Sequence, residues 1–158
     1  MTQEEQLKVQ AKELLLKDLC ARLPYGVKVE VNFNEGKKVK DLLGYADIIN
    51  QDICVGCSWM PISDNIKPYL RPMSSMTEEE KKEILNILCG DMAYKFQIDK
   101  DGIIDSESAD IMTEGLYSMI FSPVNVVLYK DFLNSHYLDY RGIIPMGLAL
   151  EAPEGMYK

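Results

Sequence analysis

A run of seven residues near the N-terminus constrains the fold of this chain more than any other feature. From residue 27 to residue 33, apolar and polar side chains alternate without exception. Successive side chains of a strand point to opposite faces, so this period predicts a strand with one buried face. The turn-forming residues 34–37 predict a hairpin whose second strand runs from Lys38 to Leu43. The chain therefore contains a sheet that must be covered on one side.

A helix is predicted before this strand, over the first 22 residues. Thr2 and Glu5 have the spacing of a capping box, in which each side chain bonds the backbone N–H of the other residue. Apolar residues then recur at helical spacing, at Leu7, Ala11, Leu14, Leu15 and Leu19. Pro24 and Gly26 end the predicted helix.

Further extended segments are predicted along the chain. Two of them cover about 48–55 and 66–71, with a loop between them. A second hairpin is predicted from 94–98 and 103–105. The strands together predict an antiparallel meander sheet.

The remaining residues favour helices. Thr77 and Glu80 form a second capping box, which begins a helix that Gly90 ends. Another helix is predicted over 108–121, and a third from Pro123 to about Ser135 with Ser122 as its N-cap; a strand at 124–129 is the alternative to the third. The predicted fold is a single α+β domain over residues 1–158, with an N-terminal helix, the meander sheet and several C-terminal helices.

The titratable residues offer little material for an active site. His136 is the one histidine of 158 residues, and no Gly-x-Ser-x-Gly elbow or phosphate-binding glycine loop is present. A histidine at a helix C-terminus suits the helix dipole, which is the structural interpretation of His136. The inventory argues against an enzyme, and no catalytic or cofactor-binding residue is predicted.

Cys54 and Cys57 have the spacing of a redox dithiol or of half a zinc site. A zinc site needs two more ligands, whereas Cys20 and Cys89 lie on apolar faces of predicted helices. Gly56 and the residues after it do not favour the helix start that a redox motif requires. The pattern favours a strand end followed by a turn, with no metal or other cofactor.

Residues 99–105 resemble the middle of a calcium-binding loop. In that register Gln97 occupies the first ligand position and Ser108 the last, where carboxylates belong. Without both end carboxylates the segment is predicted to be a hairpin turn and not a calcium site.

The charge of the chain limits its partners. Asp and Glu number 25 against 17 Lys and Arg, so the net charge is −8 and the overall field repels nucleic acid. The basic stretches, Lys37–Lys40 and Lys67 with Arg71, are short enough to be solvated lysines beside a turn. No apolar run could span a membrane, and the acidic N-terminus is unlike a signal peptide, so a cytoplasmic protein is expected.

Two segments, 66–77 and 139–153, combine apolar side chains with proline and turn formers. Such segments either cover a core or present an adhesive surface rich in Met, Tyr and Arg. Within the first segment, Tyr69, Arg71 and Met73 are the candidate contacts with a protein partner.

Residues 67–80, 139–142 and 148–157 also resemble segments of small uncharacterised proteins of phages and mobile elements in gut anaerobic bacteria. The resemblance implies a bacterial cytoplasm and a phage or prophage context, and it implies no activity. The function predicted is a non-enzymatic protein-binding or regulatory protein. The alternatives are a small enzyme whose site combines scattered acids and cysteines, and a structural phage component. The sequence specifies neither the partner nor the oligomeric state.

Overall fold

The computed structural model describes residues 2–33, 38–63, 65–99 and 122–157. Helix α1 (Gln3–Arg22) begins at the predicted capping box: the Glu5 N–H donates to Thr2 Oγ1 at 3.2 Å, and the Thr2 N–H donates to the Glu5 carboxylate at 2.6 Å. A 3₁₀ turn, Leu23–Tyr25, follows the helix. Gly26 has a φ of 73°, a left-handed conformation that glycine adopts without strain. The predicted start and end of this helix are confirmed.

Six strands form one sheet: β1 (Lys28–Asn32), β2 (Lys38–Asp47), β3 (Asp52–Val55), β4 (Ser58–Pro61), β5 (Ile66–Leu70) and β6 (Leu150–Glu151). The order across the sheet is β4-β3-β2-β1-β5-β6. β1 to β4 form an antiparallel meander, and β5 pairs antiparallel with the free side of β1. The turn 34–37 between β1 and β2 lies outside the described residues.

The prediction of a purely antiparallel sheet is wrong, because β6 pairs parallel with β5. Parallel neighbours need a long connection between them, and here the chain from residue 71 to residue 149 supplies it. A strand of two residues has no readable period, so the sequence contains no signal for β6.

The chain forms two compact units. Unit 1 comprises Met1–Arg71 and Arg141–Lys158, and unit 2 comprises Pro72–Tyr140. The α+β class is confirmed, whereas the prediction of one domain over residues 1–158 stays a prediction.

Unit 2 contains α2 (Glu78–Cys89) and α3 (Pro123–Ser135). The capping box of Thr77 and Glu80 is confirmed, and Ser122 accepts from the Asn125 N–H as predicted. The helix predicted from Pro123 to about Ser135 is therefore confirmed, and the alternative strand at 124–129 is wrong. Side chains from both helices share a core with Met76, Phe96, Ile98 and Leu138.

Several C-terminal helices are predicted, whereas α3 is the one α-helix among the described residues that follow α2. The helix predicted at 108–121 and the strand at 103–105 lie outside the described residues. Residues Gly90–Lys95 form a 3₁₀ helix, so the start of the predicted strand 94–98 is wrong. The C-terminal segment from 139 to 149 consists of turns and irregular backbone, as its glycines and Pro145 favour.

Candidate functional site

The predicted partner contacts occupy different environments. Tyr69 lies in β5 and is only 4% exposed, so its side chain does not present a surface. Arg71 and Met73 are half-buried. A partner contact at Arg71 and Met73 stays a prediction.

Tyr69 instead belongs to a polar cluster inside unit 1. Its hydroxyl donates to the Glu30 carboxylate at 2.7 Å, and Glu30 is only 5% exposed. Two lysines of β2 neutralise that carboxylate: Lys38 Nζ lies at 3.1 Å and Lys40 Nζ at 3.9 Å. The hydrogen bond from Tyr69, with the lysines, holds the pKa of Glu30 below its ordinary value of 4.5. The cluster is a satisfied buried carboxylate and not a reactive acid.

Tyr157 connects the backbones of β1 and β5 beside this cluster. The Tyr157 hydroxyl accepts from the Lys28 N–H at 3.0 Å and donates to the Tyr69 carbonyl at 2.9 Å. Lys28 and Tyr69 lie one position beyond Val29 and Pro68, which are the last directly paired residues at this end of β1 and β5. The hydroxyl thus extends the ladder where the two strands separate.

The cysteine pair lies where the structural interpretation placed it. Cys54 is buried in β3, and Cys57 is exposed in the turn between β3 and β4. The Cys54 thiol points to the Gly56 carbonyl at 3.4 Å. Within the part of the chain that the structure describes, no three His, Cys, Asp or Glu side chains come together as metal ligands.

His136 caps the C-terminus of α3, as predicted. Its Nδ1 lies 2.9 Å from the Phe132 carbonyl and 3.2 Å from Ser135 Oγ. The imidazole also stacks on the Phe132 ring with 4.0 Å between centroids. All of these contacts are local to one helix end and structural in kind. The calcium-like segment lies outside the described residues, apart from Asp99.

An exposed aromatic pair, which the sequence did not single out, lies on the β2–β3–β4 part of the sheet. Tyr45 and Trp59 are 67% and 58% exposed, and their rings stack with centroids 6.3 Å apart. Both residues pair directly with Cys54, so the rings lie on either side of this buried thiol. Ile48 and Ile49, in the turn after β2, are exposed as well. We call the stacked pair of Tyr45 and Trp59 the aromatic surface.

The aromatic surface lies in an acidic part of the chain. Between Asp41 and Ile66 the sequence contains four aspartates and no lysine, arginine or histidine, so this segment carries a charge of −4. One of the four, Asp47, accepts from the backbone N–H and the side-chain amide of Asn50 and from the backbone N–H of Ile49, and these bonds hold its pKa below the ordinary value. The sequence holds no local signal for this surface, since the exposure of a strand side chain depends on what the rest of the chain packs over it.

Three cavities of unit 1 have volumes of about 420, 300 and 180 Å³. Among the described residues, their walls are mostly apolar side chains and lysines, with Tyr69 in the second and Ser63 in the third. The carboxylates among these wall residues are Glu4 in the first cavity and Asp41 in the second. Neither the cysteine pair nor His136 lines any of the three. An enzyme site of convergent acids, or of cysteines with the histidine, is not assembled in these cavities.

Comparison of the chain with protein-family models, with curated proteins and with solved structures finds no match. No helix among the described residues combines the length and apolar character needed to cross a bilayer.

Proposed function

We propose that this chain is a non-enzymatic binding protein that recognises a protein partner through the aromatic surface. The observation that carries the proposal is the exposure of a stacked tyrosine and tryptophan on a rigid sheet. Monomeric proteins rarely leave large apolar groups clustered at the surface, and tyrosine and tryptophan are enriched where partners bind.

The chemistry of the partner follows from the charge of the segment. With −4 between Asp41 and Ile66, the surface attracts a basic partner and repels nucleic acid. Lysine or arginine of the partner can pack on the faces of Trp59 and Tyr45. The partner is therefore proposed to present apolar side chains flanked by Lys or Arg. A bacterial cytoplasm and a phage or prophage context are proposed from the sequence resemblance alone.

A binding role is favoured over an enzyme by the make-up of the cavities. A catalytic pocket usually collects convergent acids, bases and nucleophiles, whereas the described walls of these three cavities are mostly apolar side chains and lysines. Glu30, a buried carboxylate whose partners Tyr69 and Lys40 line the second cavity, is neutralised by Tyr69 and two lysines.

The test is capture of a partner with wild type and with Tyr45→Ser/Trp59→Ser. We expect this double variant to weaken capture at least about 30-fold, since hot-spot aromatics each contribute about 2 kcal/mol or more. The matched control is Val124→Ser/Val127→Ser on α3, whose side chains are equally exposed, at 67% and 58%. The control should capture the same partner as well as wild type does.

The surface of the captured protein tests the chemistry proposed for the partner. It should carry a basic, apolar surface, lose affinity between about 0.05 M and about 0.5 M salt, and shift the emission of Trp59 to the blue on binding. A partner that both double variants capture equally, or one with an acidic surface, contradicts the proposal. A large symmetric assembly of this chain alone, seen by light scattering, would favour the structural component instead.

A further inference from the structure

A second candidate binding surface of unit 1 runs along helix α1. The cavities of about 420 and 180 Å³ share Lys8, Ala11, Leu15 and Leu148 in their walls, so they adjoin each other along α1. Leu7, Ile62 and Ile66 complete their apolar floor. We call the two cavities together the α1 groove. It shares no residue with the aromatic surface.

Three lysines border the α1 groove: Lys8, Lys12 and Lys67. Lys8 bonds Glu4 at 2.8 Å, and Glu4 is the one carboxylate among the described residues of the walls. Lys12 and Lys67 are half-buried and have no acidic partner among the described residues. A protein with a net charge of −8 thus presents a local excess of positive charge beside an apolar floor.

We propose that the α1 groove binds an amphipathic carboxylate, with its alkyl chain on the apolar floor and its carboxylate among the lysines. An apolar cleft with a few charged groups at its border is the usual form of a small-molecule site, and a volume of 420 Å³ is within the usual range. From Leu7 to Leu15 the helix rises about 12 Å, a length that a medium alkyl chain can follow.

A peptide helix is a poorer occupant than an alkyl chain. It is about 10 Å across, so it could only rest one side on a cavity of this size. An alkyl chain can fill the groove and remove its own surface from water, which is the source of its affinity.

The test is isothermal titration of the full chain with decanoate, followed by methyl NMR spectra. We expect saturable binding that shifts the methyl signals of Ala11, Leu15 and Leu148. Octanoate should bind about tenfold more weakly, since each CH₂ contributes about three- to fourfold. Decanol, with the same chain and no charge, should bind at least about fivefold more weakly than decanoate.

Two variants distinguish the contribution of the ligand's carboxylate from that of its alkyl chain. Lys12→Gln/Lys67→Gln should lower the affinity for decanoate at least about fivefold and leave decanol unaffected. Its control is Lys17→Gln/Lys130→Gln, which changes two exposed lysines outside the groove and should change neither affinity. Ala11→Phe should fill the groove and weaken both ligands, with a melting curve to show that the variant folds.

Several results would overturn the proposal. These are the absence of saturable binding below the micelle concentration of decanoate, equal affinities for decanoate and decanol, or equal affinities of the two lysine variants. Methyl shifts confined to other parts of the chain would also overturn it. Tighter binding of an acidic amphipathic peptide than of decanoate would identify the groove as a protein-docking site and the carboxylate proposal as wrong.

Discussion

At the scale of single residues, Glu30 departs most from its sequence pattern. The alternation from residue 27 to residue 33 places it on the polar face, yet it is as buried as the valines beside it. Tyr69 reaches it from β5, and Lys38 and Lys40 reach it from β2. A buried carboxylate is stable only with such partners, so the cluster is coupled to the arrangement of three strands.

Replacing Tyr69 by Phe should lower the free energy of unfolding by about 1–3 kcal/mol at about pH 7, because the ionised carboxylate loses its hydrogen-bond donor. The pKa of Glu30 is lowered in the folded protein, so its contribution to stability is present above its ordinary value of 4.5 and is lost as pH falls through the lowered pKa. The difference between wild type and variant should therefore shrink at about pH 3. Urea unfolding at both pH values measures it.

The control for this prediction is Tyr45→Phe, which removes an exposed hydroxyl and should change stability little at either pH. If Tyr69→Phe loses the same free energy at both pH values, the hydroxyl does not stabilise ionised Glu30.

At the scale of elements, the two capping boxes have the same chemistry and different surroundings. The box of Thr77 and Glu80 leads into α2, whose Ile84, Leu85 and Leu88 are buried. The box of Thr2 and Glu5 leads into the first turns of α1, where residues 3–10 are all exposed. Fraying of α2 would reach core side chains within two turns, whereas fraying of α1 would expose little that is now buried.

Thr77→Ala should therefore cost about 1 kcal/mol of unfolding free energy, the usual value for a lost N-cap. Thr2→Ala should cost less than half as much, since the first turns of α1 can fray without disturbing the core. Chemical unfolding followed by far-UV circular dichroism gives both values. Equal losses would show that the first turns of α1 are coupled to the core after all.

At the scale of the whole molecule, unit 1 is built from both ends of the chain. β6 pairs with β5, Tyr157 bonds the backbone of β1 and β5, and Arg141 Nε lies 3.2 Å from the Asp18 carboxylate of α1. Asp18 also binds Arg22 through two hydrogen bonds of 2.8 and 3.0 Å, and both of these side chains are fully buried. One carboxylate thus connects the first helix to the segment that follows unit 2.

Asp18→Asn should destabilise unit 1 by about 3–5 kcal/mol, because the buried guanidinium of Arg22 would lose the charge of the carboxylate that it binds through two hydrogen bonds. The control is Glu13→Gln, an equally conservative change at an exposed position of the same helix, which should cost about 0.5 kcal/mol or less. The emission of Trp59, the one tryptophan of the chain and a residue of unit 1, reports the unfolding. A loss no larger than that of the control would contradict the role given to Asp18.

The sequence by itself determined the elements whose signals are local. The capping boxes at Thr2 and Thr77 and the cap at Ser122 act through atoms a few residues apart, so they form whatever the rest of the fold does. The alternation before Phe33 predicted a strand, but its partners came from the rest of the chain. Only the tertiary structure decided that β5 pairs with β1, that β6 makes the sheet mixed, and that Glu30 is buried. It also decided which side chains stay exposed. Tyr69 and Tyr45 are both tyrosines in strands, yet the first is buried and the second is exposed. Their burial depends on what the rest of the chain packs over each of them, and those contacts join residues far apart in the sequence.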